Sequence, residues 1–99
     1  MFIQTESTPN PATLKFLPGL TVLESGSAHF DTVEEASVSP LAERLFEVEG
    51  VTGVFLGSDF ITVHKTEDRE WFLIKPSILG LIMEHFTAGR PVMRETEAA

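Results

Sequence analysis

Residues 51–65, VTGVFLGSDFITVHK, constrain the fold more than any other stretch of the chain. Two runs rich in β-branched and aromatic residues flank Gly57-Ser58-Asp59, which is the composition of a β-hairpin. With Gly57 and Ser58 in the tight loop, Val54, Leu56, Ile61 and Val63 share one face, and Phe55, Phe60, Thr62 and His64 share the other. Both faces then carry bulky apolar groups. An antiparallel sheet ordinarily buries one face and wets the other, so Phe55 and Phe60 must enter the core, lie under a loop, or form a docking patch. Burial is the simpler outcome, because the segment 20–37 is long enough to cover them.

The remaining elements follow from turn chemistry and periodicity. Phe2 to Ser7 and Thr13 to Leu17 alternate in part and read as two short strands, joined through Pro9, Asn10 and Pro11. The two prolines fix their own φ and bias Thr8 and Asn10 toward extended backbone, while the Asn10 side chain can bond the backbone nearby. This makes a stiff turn that sets strand register, or else a contact loop. Pro18-Gly19 ends the second strand, and 20–37 reads as a long, partly ordered connection with short extended pieces at 21–23 and 28–30. Ser39-Pro40 opens a helix as N-cap and first helical residue, with Leu41, Leu45 and Val48 on one face and Gly50 as its stop. A second helix runs from about Arg69 or Glu70 to Thr87, where Trp71, Ile74, Ile78, Leu81, Ile82 and Phe86 make a broad stripe. Pro76 is expected to bend or divide it. The expected architecture is α+β, ordered β-β-α-β-β-α, with two helices on one face of a mainly antiparallel four-stranded sheet. One domain spans 1–90, and 91–99 reads as the start of an acidic linker.

Charge and composition exclude several function classes. Fifteen acidic residues against seven Lys and Arg give a net charge of −8, which repels phosphate backbones and anionic lipid surfaces. With no Cys there is no disulfide, no thiolate nucleophile and no thiolate ligand for iron or zinc. The longest apolar stretch is broken by Lys75, Pro76 and Gly80. Met1 to Glu6 has neither the basic and apolar regions of a signal peptide nor an Arg-rich transit character, so a cytoplasmic protein is expected.

His29-x-Asp31, His64 and Glu84-His85 lack ligand spacing and read as surface or partly buried side chains, not as a metal site. Asp59, Asp68 and Glu70 are accounted for by turn and helix-start chemistry. No serine sits in a nucleophile elbow, and no glycine run opens a helix as a phosphate loop does. Neither catalytic residues nor metal ligands are expected.

Three long stretches, MFIQTESTPNPATLKFLPG, SPLAERLFEVEGVTGVFLGSDFITVHK and EWFLIKPSILGLIMEHF, closely resemble the N-terminal domain of Nfu-type (NifU-like) iron–sulfur cluster scaffold and carrier proteins. Together they cover most of 1–90, in order. In that family the domain precedes an acidic linker and a C-terminal domain whose Cys-x-x-Cys pair, from two subunits, holds a 4Fe–4S cluster. This chain has no Cys and ends at Ala99, so the resemblance implies no cofactor here and a cluster on a domain absent from the chain. It further implies a non-catalytic, monomeric interaction domain whose partners are apo iron–sulfur client proteins or cluster-assembly proteins, with no nucleic acid and no membrane. The contact surface is expected at the Pro9-Asn10-Pro11 loop and at Phe55, Asp59 and Phe60. Two alternatives stay open at this point: a free-standing adaptor unrelated to clusters, and a small metal-binding protein using His64 with nearby acids.

Overall fold

The computed structural model describes residues 2–94. Five strands are present: β1 (Gln4–Ser7), β2 (Thr13–Leu17), β3 (Ala28–Phe30), β4 (Val51–Leu56) and β5 (Ile61–Lys65). A 3-10 turn, Glu35–Val38, leads into α1 (Pro40–Leu45), and α2 (Trp71–Thr87) follows the last strand. The strands form a single antiparallel sheet in the order β1-β2-β5-β4-β3.

Alternation in the β4–β5 hairpin sets the two layers. Val54 pairs with Val63 and Leu56 with Ile61, and all four side chains are fully buried. The Gly57 N–H donates to the Phe60 carbonyl at 2.9 Å, so the tight loop is Ser58-Asp59, one residue later than Gly57-Ser58. This shift leaves the parity of the strands unchanged. Leu41, Ala42 and Leu45 from α1 and Ile74, Ile78 and Ile82 from α2 close over that face, joined by Phe16 of β2. Each fully buried Leu, Ile or Phe contributes about 1.5–3 kcal/mol relative to an exposed one. Both helices therefore cover one side of the sheet, as the α+β pattern predicts, and among the described residues no layer lies over the other side.

The sheet has one strand more than expected. Ala28–Phe30 adds to the free edge of β4, with His29 opposite Phe55 and Phe30 opposite Val54. Three residues are too few for periodicity to reveal a strand, and its partner lies more than twenty residues away. The preceding segment is anchored rather than loose. Val22 and Leu23 enter the core, and both their N–H groups reach the Ser58 carbonyl at the hairpin tip, at 2.7 and 3.3 Å.

Gly50 closes the turn after α1 with φ 100°, a region that side chains rarely adopt. A Cβ there would also lie 2.6 Å from Cγ of Arg69, whose guanidinium pairs with Glu49 at 2.8 Å. α2 runs unbroken through Pro76, so of the expected bend or division the division does not occur. Pro76 is exposed and near the N-terminal end, where it withdraws a single donation, to the carbonyl of the equally exposed Phe72. Water can take that bond. Arg44 of α1 bonds Glu84 of α2, and this contact holds the Glu84 carboxyl below the usual carboxylate range.

Residues 91–94, assigned to a linker from sequence, are held against the helical layer. Ser39 Oγ donates to the Val92 carbonyl at 2.6 Å, and Arg94 bonds the Ser37 and Val38 carbonyls, both at 2.7 Å, and Glu43 at 2.6 Å. The rest of that expected linker, 95–99, lies outside the described residues.

His85 completes this attachment and was misread as a surface or partly buried side chain. It is fully buried, its Nε2–H donates to the Pro91 carbonyl at 2.8 Å, and its Nδ1 has no partner among the described residues. Burial pushes its pKa below the ordinary imidazole value of about 6.5. As pH falls through that value, the unfolded chain takes up a proton that the folded chain refuses. Stability should therefore be fully present above about pH 6.5 and fall below it by up to about 1.4 kcal/mol per pH unit, until the folded imidazole itself titrates. Urea unfolding at pH 7.5, 6.0 and 5.0 checks this, with His85→Gln expected to flatten the slope; the carboxylates titrate in a lower window.

Candidate interaction surface

The bare side of the sheet is built from the outward positions of four strands. Register places Lys15 opposite Thr62, Thr13 opposite His64, and Phe55 between Thr62 and His29. Phe55 and Phe60 are half-buried and stack with ring centroids 5.9 Å apart and planes 14° off parallel. Lys15 Nζ sits 4.5 Å from the centre of the Phe60 ring, a cation–π arrangement. On the other flank His29 lies 6.0 Å from Phe55 and 6.4 Å from His64, ring centre to ring centre. The result is a continuous aromatic and imidazole strip across the sheet.

Two polar contacts fix the imidazoles. Thr13 Oγ1 and His64 Nδ1 share a hydrogen bond of 2.6 Å, and His29 Nε2 lies 3.0 Å from Asp31 Oδ1. Gly53 gives His64 its space, because a Cβ there would come within 3.1 Å of the ring. The register of β4 shifts between Val51 and Gly53, a bulge that re-aims the strand beside that ring. An open groove of about 640 Å³ lies here, lined by His29, Asp31, Thr52, His64 and Asn10 among others. Such a face can stack on aromatic groups, bury apolar side chains and exchange hydrogen bonds. Among the described residues, no three His, Asp or Glu side chains converge as a metal site requires.

The Pro9-Asn10-Pro11 loop borders the groove and is internally braced. Asn10 Oδ1 accepts from the Ala12 N–H at 2.9 Å, the Thr8 hydroxyl bonds within the loop, and the Thr13 N–H reaches the Asn10 carbonyl at 3.0 Å. Lys65 N–H donates to the Ala12 carbonyl, and Trp71 Nε1–H donates to the Pro11 carbonyl, both at 2.9 Å. The loop is thus bolted to β5 and to the first turn of α2.

Of the six residues singled out from sequence, the structure brings Phe55 and Phe60 together. The loop stands at the far end of β5, about 17 Å away by strand rise. Asp59 is exposed at the hairpin tip and faces a separate hollow with Phe2, Leu17 and Leu20. Sequence reasoning missed Lys15 and, although it set His64 on the face of Phe55 and Phe60, it did not bring His29 beside His64. Their meeting depends on β3 joining the edge of β4, which no local spacing signals. The coverage of the phenylalanines by 20–37 does not occur, because Val22 and Leu23 turn into the core instead.

Fold and surface together define a small two-layer α+β domain with one uncovered, aromatic-rich sheet face. The chain belongs to the family described as "Scaffold protein Nfu/NifU N terminal", whose profile matches residues 3–89. It is 55% identical over 96 residues to the NFU1 iron-sulfur cluster scaffold homolog, mitochondrial, of Drosophila willistoni, covering 96% of this chain and 33% of that protein. It is 48% identical over 99 residues to NifU-like protein 4, mitochondrial, of Arabidopsis thaliana, covering 100% of this chain and 35% of that protein. The solution structure of a NifU-like protein from Saccharomyces cerevisiae superposes with a TM-score of 0.82 at 31% identity, covering 96% of this chain and 86% of that one. This is a domain of the iron–sulfur cluster scaffold family, as the three matching stretches imply. The chain spans about a third of the length of these curated relatives. The expected cytoplasmic location is corrected by the same comparison, because the relatives are named as mitochondrial proteins.

Proposed function

We propose that this chain is a non-catalytic docking domain in iron–sulfur cluster delivery, which recognises apo iron–sulfur client proteins or cluster-assembly proteins through its bare sheet face. The observation that carries this reading is the Phe55–Phe60 stack, flanked by Lys15 and His29, on a face that no element among the described residues covers. The Pro9-Asn10-Pro11 loop extends the contact at the groove end, while Asp59 faces a separate hollow and lies outside it. The chain's own residues do not fit an iron–sulfur cluster: there is no thiolate, His85 is buried, and His29 and His64 each have a ring nitrogen engaged within the fold. The cluster therefore belongs on a segment outside this chain. Docking raises its effective concentration beside the client, so even a weak contact speeds transfer. A net charge of −8 keeps the isolated domain monomeric and off anionic surfaces.

The test is a titration of the isotope-labelled chain with the apo form of an iron–sulfur enzyme. Chemical-shift changes should centre on Lys15, His29, Phe55, Phe60 and Thr62. The double variant Phe55→Ser/Phe60→Ser should weaken binding at least ten-fold while remaining folded, since both rings lie outside the core. Undiminished binding by a folded double variant would refute the assignment.

A further inference from the structure

The bare sheet is not the only apolar surface left open. α2 sends Ile74, Ile78 and Ile82 into the core, and its opposite side presents Phe72, Leu73, Pro76, Leu79, Gly80 and Met83. These six positions span roughly three turns without a charge. Phe72 is 73% exposed, Leu73 65% and Met83 41%. The outward face of a surface helix is where charged residues normally collect, and a helix that is apolar all round is one that becomes covered.

Gly80 is an independent sign. A Cβ at this position would meet no atom within 4 Å, so nothing in the chain's own packing calls for glycine. Glycine nevertheless weakens a helix interior relative to alanine. Its effect here is a notch at which another backbone can approach closely.

The charges around the notch indicate what approaches. Exposed Glu67, Asp68 and Glu70 stand beside the Phe72 end, whereas Glu84, next to Met83, is already paired with Arg44 and Arg90. Glu47 and Glu49 line the groove that borders Leu73, and Arg69 in the same groove is taken up by Glu49. The only cation within the stretch is the half-buried Lys75. A second copy of the chain would bring another eight negative charges to the same place.

We propose that the outward face of α2 is a second docking surface, and that its occupant is a basic amphipathic helix of another protein. Its apolar stripe crosses α2 over Gly80, and its Lys or Arg side chains reach Glu67, Asp68 and Glu70 at the Phe72 end. The exposed anchors Phe72, Pro76 and Met83 stand at i, i+4 and i+11, with half-buried Leu79 completing the i+7 position of helix-on-helix recognition. This surface shares no residue with the bare sheet face, so it goes beyond the docking role proposed above and is tested separately.

The probe is an acetylated, amidated peptide of about 20 residues with a Leu/Ala stripe flanked by lysines, long enough to hold a helix, compared with its Glu-for-Lys counterpart. The lysine peptide should shift resonances across 72–83 and bind at least ten-fold more tightly than the glutamate peptide. Phe72→Ser and Gly80→Leu should each weaken it at least ten-fold, while Phe55→Ser/Phe60→Ser leaves it unchanged. Equal binding of both peptides, shifts confined to the sheet face, or loss of binding only in the Phe55/Phe60 variant would overturn the proposal. So would sedimentation showing that the chain alone self-associates through Phe72, which would assign the face to a second copy.

Discussion

Phe16→Ala is expected to cost about 3–5 kcal/mol of folding free energy, measured by urea denaturation at pH 7.5. Phe16 lies on β2, between the edge strand β1 and the central strand β5, paired with Thr5 on one side and Ile61 on the other, and is fully buried under the helices. Truncation removes the ring's transfer free energy and leaves a cavity that two rigid neighbouring strands cannot collapse to fill. Small domains are stable by only about 5–15 kcal/mol, so this loss takes a large share of the whole. The same chemical change at Phe55, on the bare face, should cost no more than about 1 kcal/mol. Equal losses at the two positions would mean that the bare face is part of the core.

Ser39→Ala should cost about 2–3 kcal/mol, although it removes a single oxygen. That oxygen is fully buried and does two jobs: it accepts from the Ala42 N–H at 3.0 Å to cap α1, and it donates to the Val92 carbonyl at 2.6 Å. Alanine leaves a buried donor and a buried acceptor unmatched at once. The expected signature is local as well as global. Amide exchange at Arg94, whose N–H bonds the Val38 carbonyl, should accelerate beyond what the overall destabilisation explains. A loss below about 0.5 kcal/mol, with exchange at Arg94 unchanged, would show that water replaces both bonds.

Much of this fold is written in local pattern. Alternation in 51–65 assigns Val54, Leu56, Ile61 and Val63 to one face whichever two residues make the turn, and Ser39-Pro40 marks the start of α1 to the residue. The extended pieces at 21–23 and 28–30 are legible too, but where they and His85 pack depends on distant partners. β3 is a strand because β4 offers an edge, Val22 and Leu23 are core because the Ser58 carbonyl holds their backbone, and His85 is buried because Pro91 supplies an acceptor. The candidate surface divides the same way. Phe55, Phe60 and His64 fall on one side of the hairpin by local alternation, whereas Lys15 and His29 join them through pairings that no local window contains.

Both outermost strands of the sheet are short, four residues in β1 and three in β3, and each gives way at once to a turn. Unsatisfied backbone groups along a sheet's margin invite another chain to zip on, and stubby margins bearing Glu6 or His29 leave little length for that reaction. The protein can therefore display sticky aromatic side chains at high concentration without seeding fibrils.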